Sequence, residues 1–267
     1  MIHKIRLLSS AAGFLSLFAG PAFPQSTPAP KAAAAKEEAL PSADELSEKC
    51  AKGSGGKEAW AKLKTMVLTG TIDIASIGMT GTVEIYAKSP NKVLRVISLA
   101  NGQFEQKQGF DGKAGWKSDP QSGLKPLEGS ELEETKVEAV LDSDVRLKEL
   151  HPDMKVTGRT KVGERDAYTV VTHQPGGKTV TMYMDAQTGL RIAEDSEGPN
   201  ETGTVEKASV FFEDYRTACG VQAPYRLRVA TAAVSFVITL QDVQCNVPVD
   251  DTKFAMPSAD GPAPPKS

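Results

Sequence analysis

Glu206–Phe254 reads EKASVFFEDYRTACGVQAPYRLRVATAAVSFVITLQDVQCNVPVDDTKF. Within it Tyr225, Leu227 and Val229 alternate with Arg226 and Arg228. After Ala232-Ala233, the residues Val234, Phe236, Ile238 and Leu240 alternate with mostly polar neighbours. A period of two over this length is that of a half-buried strand. With Ala232-Ala233 as a two-residue turn, Thr231 faces Val234, Val229 faces Phe236, Leu227 faces Ile238 and Tyr225 faces Leu240. Both apolar sets then lie on one face of the hairpin, the register that burial demands. The same register puts Cys219 opposite Asn246 and Gly220 opposite Cys245. The two cysteines therefore stand one step from direct opposition and predict a bridge after small adjustment. Two buried reduced thiols are the alternative.

Strand patterns continue upstream. Met66, Leu68, Ile72 and Ile74 share one face around Gly70, and Val83, Ile85 and Ala87 alternate with Thr82, Glu84 and Tyr86. Val93–Leu99 leads to Asn101-Gly102, a strong hairpin signal. Gln103–Phe110 follows, and Trp116 opens a short strand ending near Pro120. Met154–Arg159, Ala167–Thr172, Lys178–Met184 and a short Leu190–Asp195 read as further strands, with Ser196–Gly203 as a polar loop. Strands at this spacing, joined by hairpin turns, predict a meandering antiparallel sheet that curls as its twist accumulates.

Helical signals are few. Ser42 with Glu45 forms a capping box, with Leu46 and Cys50 on one face. Gly53–Gly56 interrupts it before a short piece, Glu58–Leu63, that carries Trp60. Ser130 with Glu133 forms a second box. Its helix is expected to run to about Leu150, stopped by Pro152, with Leu132, Val140, Leu141, Val145 and Leu147 on its apolar side. As the long helix amid strands, it is expected to cover one face of the sheet.

The ends are of different composition. Residues 1–22 read as a secretory leader: Lys4 and Arg6, an apolar Leu7–Ala19, then Gly20-Pro21-Ala22 as the cleavage site. The apolar run is short for a membrane span, and no cysteine follows it to take a lipid anchor. Residues 23–41 form a flexible Ala/Pro-rich tether, 42–257 the folded domain, and 258–267 a disordered Pro-rich tail. The chain carries 31 Lys+Arg against 34 Asp+Glu, and loss of Lys4 and Arg6 with the leader makes it more acidic. This is not the footprint of a nucleic-acid binder. The reading is an exported, periplasmic or secreted protein without a membrane span in its mature form. Export permits the disulfide and leaves Cys50 as an unpaired thiol rather than a nucleophile.

Several turn motifs recur in a known order: Gly55-Gly56; Phe110-Asp111-Gly112 with Gly115-Trp116; Tyr183-Met184-Asp185 with Thr188-Gly189-Leu190; Asp214-Tyr215-Arg216 with Gly220-Val221 and Pro224; and Asn246 with Asp250-Asp251, Phe254 and Pro257. With these, the chain from Ser42 to Pro257 resembles the LolA/LppX-like superfamily of outer-membrane lipoprotein-sorting proteins. The resemblance implies an α+β, mainly antiparallel fold: a curved, incomplete β-barrel whose helices cover the concave apolar face. It also implies carriage of acyl chains or lipoproteins across the periplasm.

Chemical constellations do not emerge. His151 and His173 lack partners at ligand spacing and read as surface residues. Asp250-Asp251 reads as a cap rather than a cation site, and Asp111-Gly112 and Asp185 with Thr188-Gly189 read as turn chemistry. Trp116 and Tyr225 read as core or rim residues, and Arg226 and Arg228 as a solvated face. No enzyme and no cofactor is implied. The functional candidate is the apolar face, with Leu68, Ile72, Ile85, Leu99, Met182, Val229, Phe236 and Ile238 lining a site for a hydrophobic ligand or lipoprotein acyl chain. The competing reading is a cell-envelope module with a filled core that binds another protein through a sheet edge.

Overall fold

The computed structural model describes residues 39–174, 176–199 and 203–258. The expected leader, nearly all of the tether and the tail beyond Ser258 lie outside the described residues.

Two helices open the described chain, α1 (Ala43–Gly53) and α2 (Lys57–Ala61). The expected capping box is formed: the Ser42 hydroxyl accepts from Glu45 N–H, and the Glu45 carboxylate accepts from Ser42 N–H at 2.7 Å. The chain then meanders outward through β1 (Thr65–Ile74), β2 (Met79–Lys88), β3 (Lys92–Leu99), β4 (Phe104–Phe110), β5 (Gly115–Asp119) and β6 (Gly123–Pro126). It crosses over through α3 (Gly129–Glu138) and α4 (Leu147–Leu150) to the opposite edge. From there it works inward through β7 (Lys155–Val162), β8 (Arg165–Gln174), β9 (Lys178–Asp185), β10 (Arg191–Pro199), β11 (Val205–Ala218), β12 (Val221–Thr231) and β13 (Ser235–Cys245). The two meanders join where β13 pairs with β1, giving one antiparallel sheet of 13 strands that stays open, with β6 and β7 at its edges. This is the expected α+β half-barrel.

Accumulated twist curls a sheet of this width, and local devices add to it. The β1–β13 ladder shifts register between Thr69 and Gly70. Gly70 lies so close to the partner strand that a Cβ there would stand 2.3 Å from the Thr239 carbonyl oxygen. A side chain at this position would push the two central strands apart, so the tight bend needs glycine.

The opening hairpin forms in the expected register from Ala230↔Ser235 through Val229↔Phe236 and Leu227↔Ile238 to Arg226↔Thr239. Thr231 N–H donates to the Val234 carbonyl at 2.9 Å, closing the turn. The ladder ends there, short of the expected Tyr225–Leu240 and cysteine positions, and beyond it β13 pairs with β1 as far as Cys245 opposite Met66. Cys219, in the turn between β11 and β12, is nonetheless bonded to Cys245 across a Cα–Cα distance of 6.4 Å. The bridge fastens strand ends that the ladder does not.

Two expectations are corrected, and one strand is added. The helix expected from Ser130 to Leu150 is broken. α3 starts at Gly129 without a side-chain cap from Ser130 and stops at Glu138; a single 3-10 turn (Ser143–Val145) and the one-turn α4 follow. Ala139 and Val140 are buried at the break, so their apolar side chains are served better by dipping into the core than by continuing the helix. The polar run from Ser196 is strand as far as Pro199, because it pairs with Val205–Ala208. β6, which had no clear apolar pattern, forms as an exposed edge beside β5.

Aspartates at the turns act as the turn chemistry requires. Asp111 Oδ1 accepts from Lys113 and Ala114 N–H, and Asp185 Oδ1 accepts from Gln187 and Thr188 N–H. Asp250 caps Thr252, and Asp251 pairs with Lys88 and Lys92 at 2.6 and 2.9 Å. On the opposite face of β5 from α3, Trp116 is buried against Leu94 and Phe254, and its Nε1–H donates to the Phe254 carbonyl at 2.8 Å.

Candidate functional site

α3 crosses from one wing of the sheet to the other, and ion pairs fix it there. Its carboxylates at Glu131, Glu134 and Glu138 fall at helical spacing on one stripe. Glu131 meets Lys117 of β5 at 2.5 Å, Glu138 meets Arg95 of β3 at 2.5 Å, and Glu134 meets Lys178 of β9 at 2.7 Å. Gln108 adds a bond to Thr135 at 2.8 Å. The helix thus spans the concavity on polar contacts. Its apolar contribution is modest, with Leu132 packed beside Val93, Phe110 and Ala139.

Beneath the cover is a cavity of about 390 Å³. Four apolar clusters border it. Val229 and Phe236 come from the cluster on β1, β2, β3, β12 and β13. Val180 and Leu147 come from the one beneath α1 and α4, Leu141 from the one around Trp60, and Val93 with Ala139 from the one under α3. The concave face is therefore packed solid toward its ends and open between them.

Of the residues expected on the apolar face, Ile85, Val229 and Phe236 line the cavity. Leu68, Ile72, Leu99 and Ile238 pack in the first cluster beside it. Met182 is fully buried under α1, against Leu46 and Cys50. Arg226 and Arg228 keep 45% and 43% of their side chains exposed and pair with Glu213, and Tyr225 stacks under Arg216 at 4.6 Å.

The cavity also has a polar side. Arg95, Lys178, Arg191, Glu138, Asp144, Glu194 and His151 all face it. Arg191 reaches it because of a bulge. The β9–β10 ladder skips a residue between Arg191 and Ala193, which inverts the in–out alternation, so that Arg191, Glu194 and Ser196 all point inward. Arg191 pairs with Glu194 at 2.9 Å, lies 4.7 Å over the Phe212 ring, and its carbonyl accepts from the Tyr215 hydroxyl at 2.7 Å.

Burial dominates the electrostatics here. It pushes the Asp144 carboxyl up, with Arg191 opposing. It pushes His151 down to about 4, and the Arg191 charge acts in the same direction. His151 is therefore neutral and faces the cavity, not the outer surface expected for it; Leu147 and Met154, within hydrogen-bond reach of its backbone, hold it at the inner end of α4. Burial, reinforced by Asp144, also pushes the Cys50 thiol up, which withholds the thiolate a nucleophile would need. Among the described residues, no group of three His, Cys, Asp or Glu side chains is placed to hold a metal ion. No helix among them is long and apolar enough to cross a membrane.

Pattern reading overlooked these inward charges, although Arg95 and Lys178 carried a signal. Arg95 has the same parity as Val93 and Ile97, and Lys178 the same parity as Val180, Met182 and Met184, all of them buried. A charge in phase with a buried set marks an inward polar group. Arg191 had no such signal, because the bulge puts it out of phase.

No family model matches the chain, and no curated protein matches it in sequence. Solved structures share its fold. A LolA superfamily protein from Nitrosomonas europaea superposes with a TM-score of 0.54 at 12% identity, covering 81% of this chain and 98% of that one. A DUF1329 family protein from Desulfovibrio piger ATCC 29098 gives 0.54 at 13%, covering 79% and 96%. A domain assigned to outer-membrane lipoprotein sorting from Vibrio parahaemolyticus gives 0.54 at 9%, covering 79% and 94%.

Proposed function

We propose that this chain is an exported, non-catalytic carrier or binding protein that holds a lipid, a lipoprotein acyl chain or another hydrophobic ligand in the cavity beneath α3 and α4. The observation that carries the reading is the cavity itself, about 390 Å³ between four apolar clusters. That volume falls within the roughly 300–1,000 Å³ of small-molecule sites. Burial of apolar surface, worth about 25 cal/mol per Å², would drive uptake without dedicated chemistry. α3, held by ion pairs at both wings, is its cover. The sorting assignment of the Vibrio parahaemolyticus domain agrees with a role in the periplasm.

Native mass spectrometry of the mature protein, followed by lipid extraction, tests this. A stoichiometric lipid adduct that disappears in Val229→Trp is the expected result. Protein that arrives without adduct and refuses fluorescent fatty-acid and lipid-alcohol probes would sink the reading. It would point instead to an envelope module docking through the open edges at β6 and β7.

A further inference from the structure

The charges around the cavity are unevenly satisfied. Every cation that faces it already holds a carboxylate: Arg95 with Glu138, Lys178 with Glu134 and Arg191 with Glu194, at 2.5, 2.7 and 2.9 Å. Those three pairs use three carboxylates, and Asp144 is a fourth. Among the described residues, no hydrogen bond or ion pair reaches the Asp144 carboxylate; Arg191 acts on it only through space. His151, also in the lining, is neutral. Each lining cation is thus matched by an anion, whereas the Asp144 carboxyl has no protein donor among the described residues.

Resting on the carrier reading, we propose that the cavity takes a single-chain amphiphile whose polar end is a hydrogen-bond donor, a hydroxyl or an amine received by Asp144. The anion of a free fatty acid is rejected. A fatty carboxylate at Arg191 would have to displace Glu194 and strand that carboxylate in a partly desolvated site, where an unpaired charge is costly. A donor end group avoids this. It gives the Asp144 carboxyl a partner. The apolar clusters accept the same hydrocarbon chain in every case, so the head group alone decides the ranking.

Isothermal titration calorimetry on the mature protein at neutral pH, with three probes of one chain length, tests this. The probes are 1-dodecanoylglycerol, dodecylamine and sodium dodecanoate, each below its aggregation concentration. The glycerol ester and the amine should bind about tenfold more tightly than the carboxylate, the worth of one hydrogen bond. In Asp144→Asn, dodecylamine should lose most of its advantage while dodecanoate improves. Dodecanoate binding as tightly as the other two in the wild type would overturn the head-group assignment and leave the carrier reading intact. If none of the three binds and no lipid co-purifies, both fall. If Asp144→Asn does not fold, the wild-type ranking decides alone.

Discussion

Glu134 and Lys178 meet at 2.7 Å with only 4% and 5% of their side chains exposed. They tie the middle of α3 to β9, on the wing of the sheet opposite the Lys117–Glu131 pair. Burial pushes the Glu134 carboxyl up, and Lys178 opposes that shift, so the pair sits where desolvation and attraction nearly balance. Lys178→Met should therefore cost about 3–5 kcal/mol, because it strands a buried carboxylate. Glu134→Leu combined with Lys178→Met should recover most of that loss. Urea denaturation checks the energies. Hydrogen exchange should show α3 opening in the single variant while β12 and β13 stay protected.

His151 supplies a pH dependence with a definite sign. It titrates near 6.5 when unfolded and about 4 when folded. Between these values the unfolded chain binds more protons, so this contribution to stability is present above pH 6.5 and is lost as pH falls toward 4. Asp144 and Glu134 are shifted up; the folded state holds their protons more firmly, so they act in the opposite sense. Comparing wild type with His151→Asn isolates the histidine. The stability gap should move by roughly 1–3 kcal/mol in favour of the variant between neutral pH and pH 4. Parallel curves for the two proteins would contradict the assignment.

The Cys219–Cys245 bridge closes a sequence separation of 26. Its removal in the double variant Cys219→Ala with Cys245→Ala should cost roughly 2–4 kcal/mol, chiefly by freeing the unfolded chain. A non-reduced peptide map should show the linked pair, with Cys50 as the remaining thiol. Alkylation of Cys50 should be slow until the protein is denatured, since it is 1% exposed.

Gly109 lies flat against the Trp116 indole, where a Cβ would come within 2.5 Å of the ring. Gly109→Ala should destabilise by about 1–3 kcal/mol through overpacking. The displaced indole should also weaken its bond to the Phe254 carbonyl. Intrinsic fluorescence reports the shift, and thermal melting reports the energy. Unchanged melting would mean that the strand and ring yield together.

What the sequence disclosed follows from which forces act locally. Val229 and Phe236 could be paired from alternation alone, because a strand with one buried face permits only one register. Ser42 and Glu45 could be recognised because a capping box is closed within four residues. Ser130 and Glu133 have the same spacing and form no box, since the ion pairs of Glu131, Glu134 and Glu138 position that helix from outside. Ile85, Val229 and Phe236 reach the cavity while Ile72 and Ile238 do not. All five alternate alike, and what separates them is how neighbouring clusters fill the curve. Arg191 was hidden by a one-residue bulge, and Asp144 by a turn with no period at all. The fold was thus written in local pattern, and the site in the exceptions to it.

The pairing of β1 with β13 has a kinetic consequence. Met66 finds its partner in Cys245, so the seam at the centre of the sheet joins a strand near the start of the folded region to one near its end. Each meander forms by nearest-neighbour hairpins, but the centre of the sheet cannot close until the last strand is present. Such long-range closure is paid for in loop entropy before it is rewarded by contacts, and it makes folding slow. A polypeptide still being synthesised therefore stays open along its middle until its final strand has emerged.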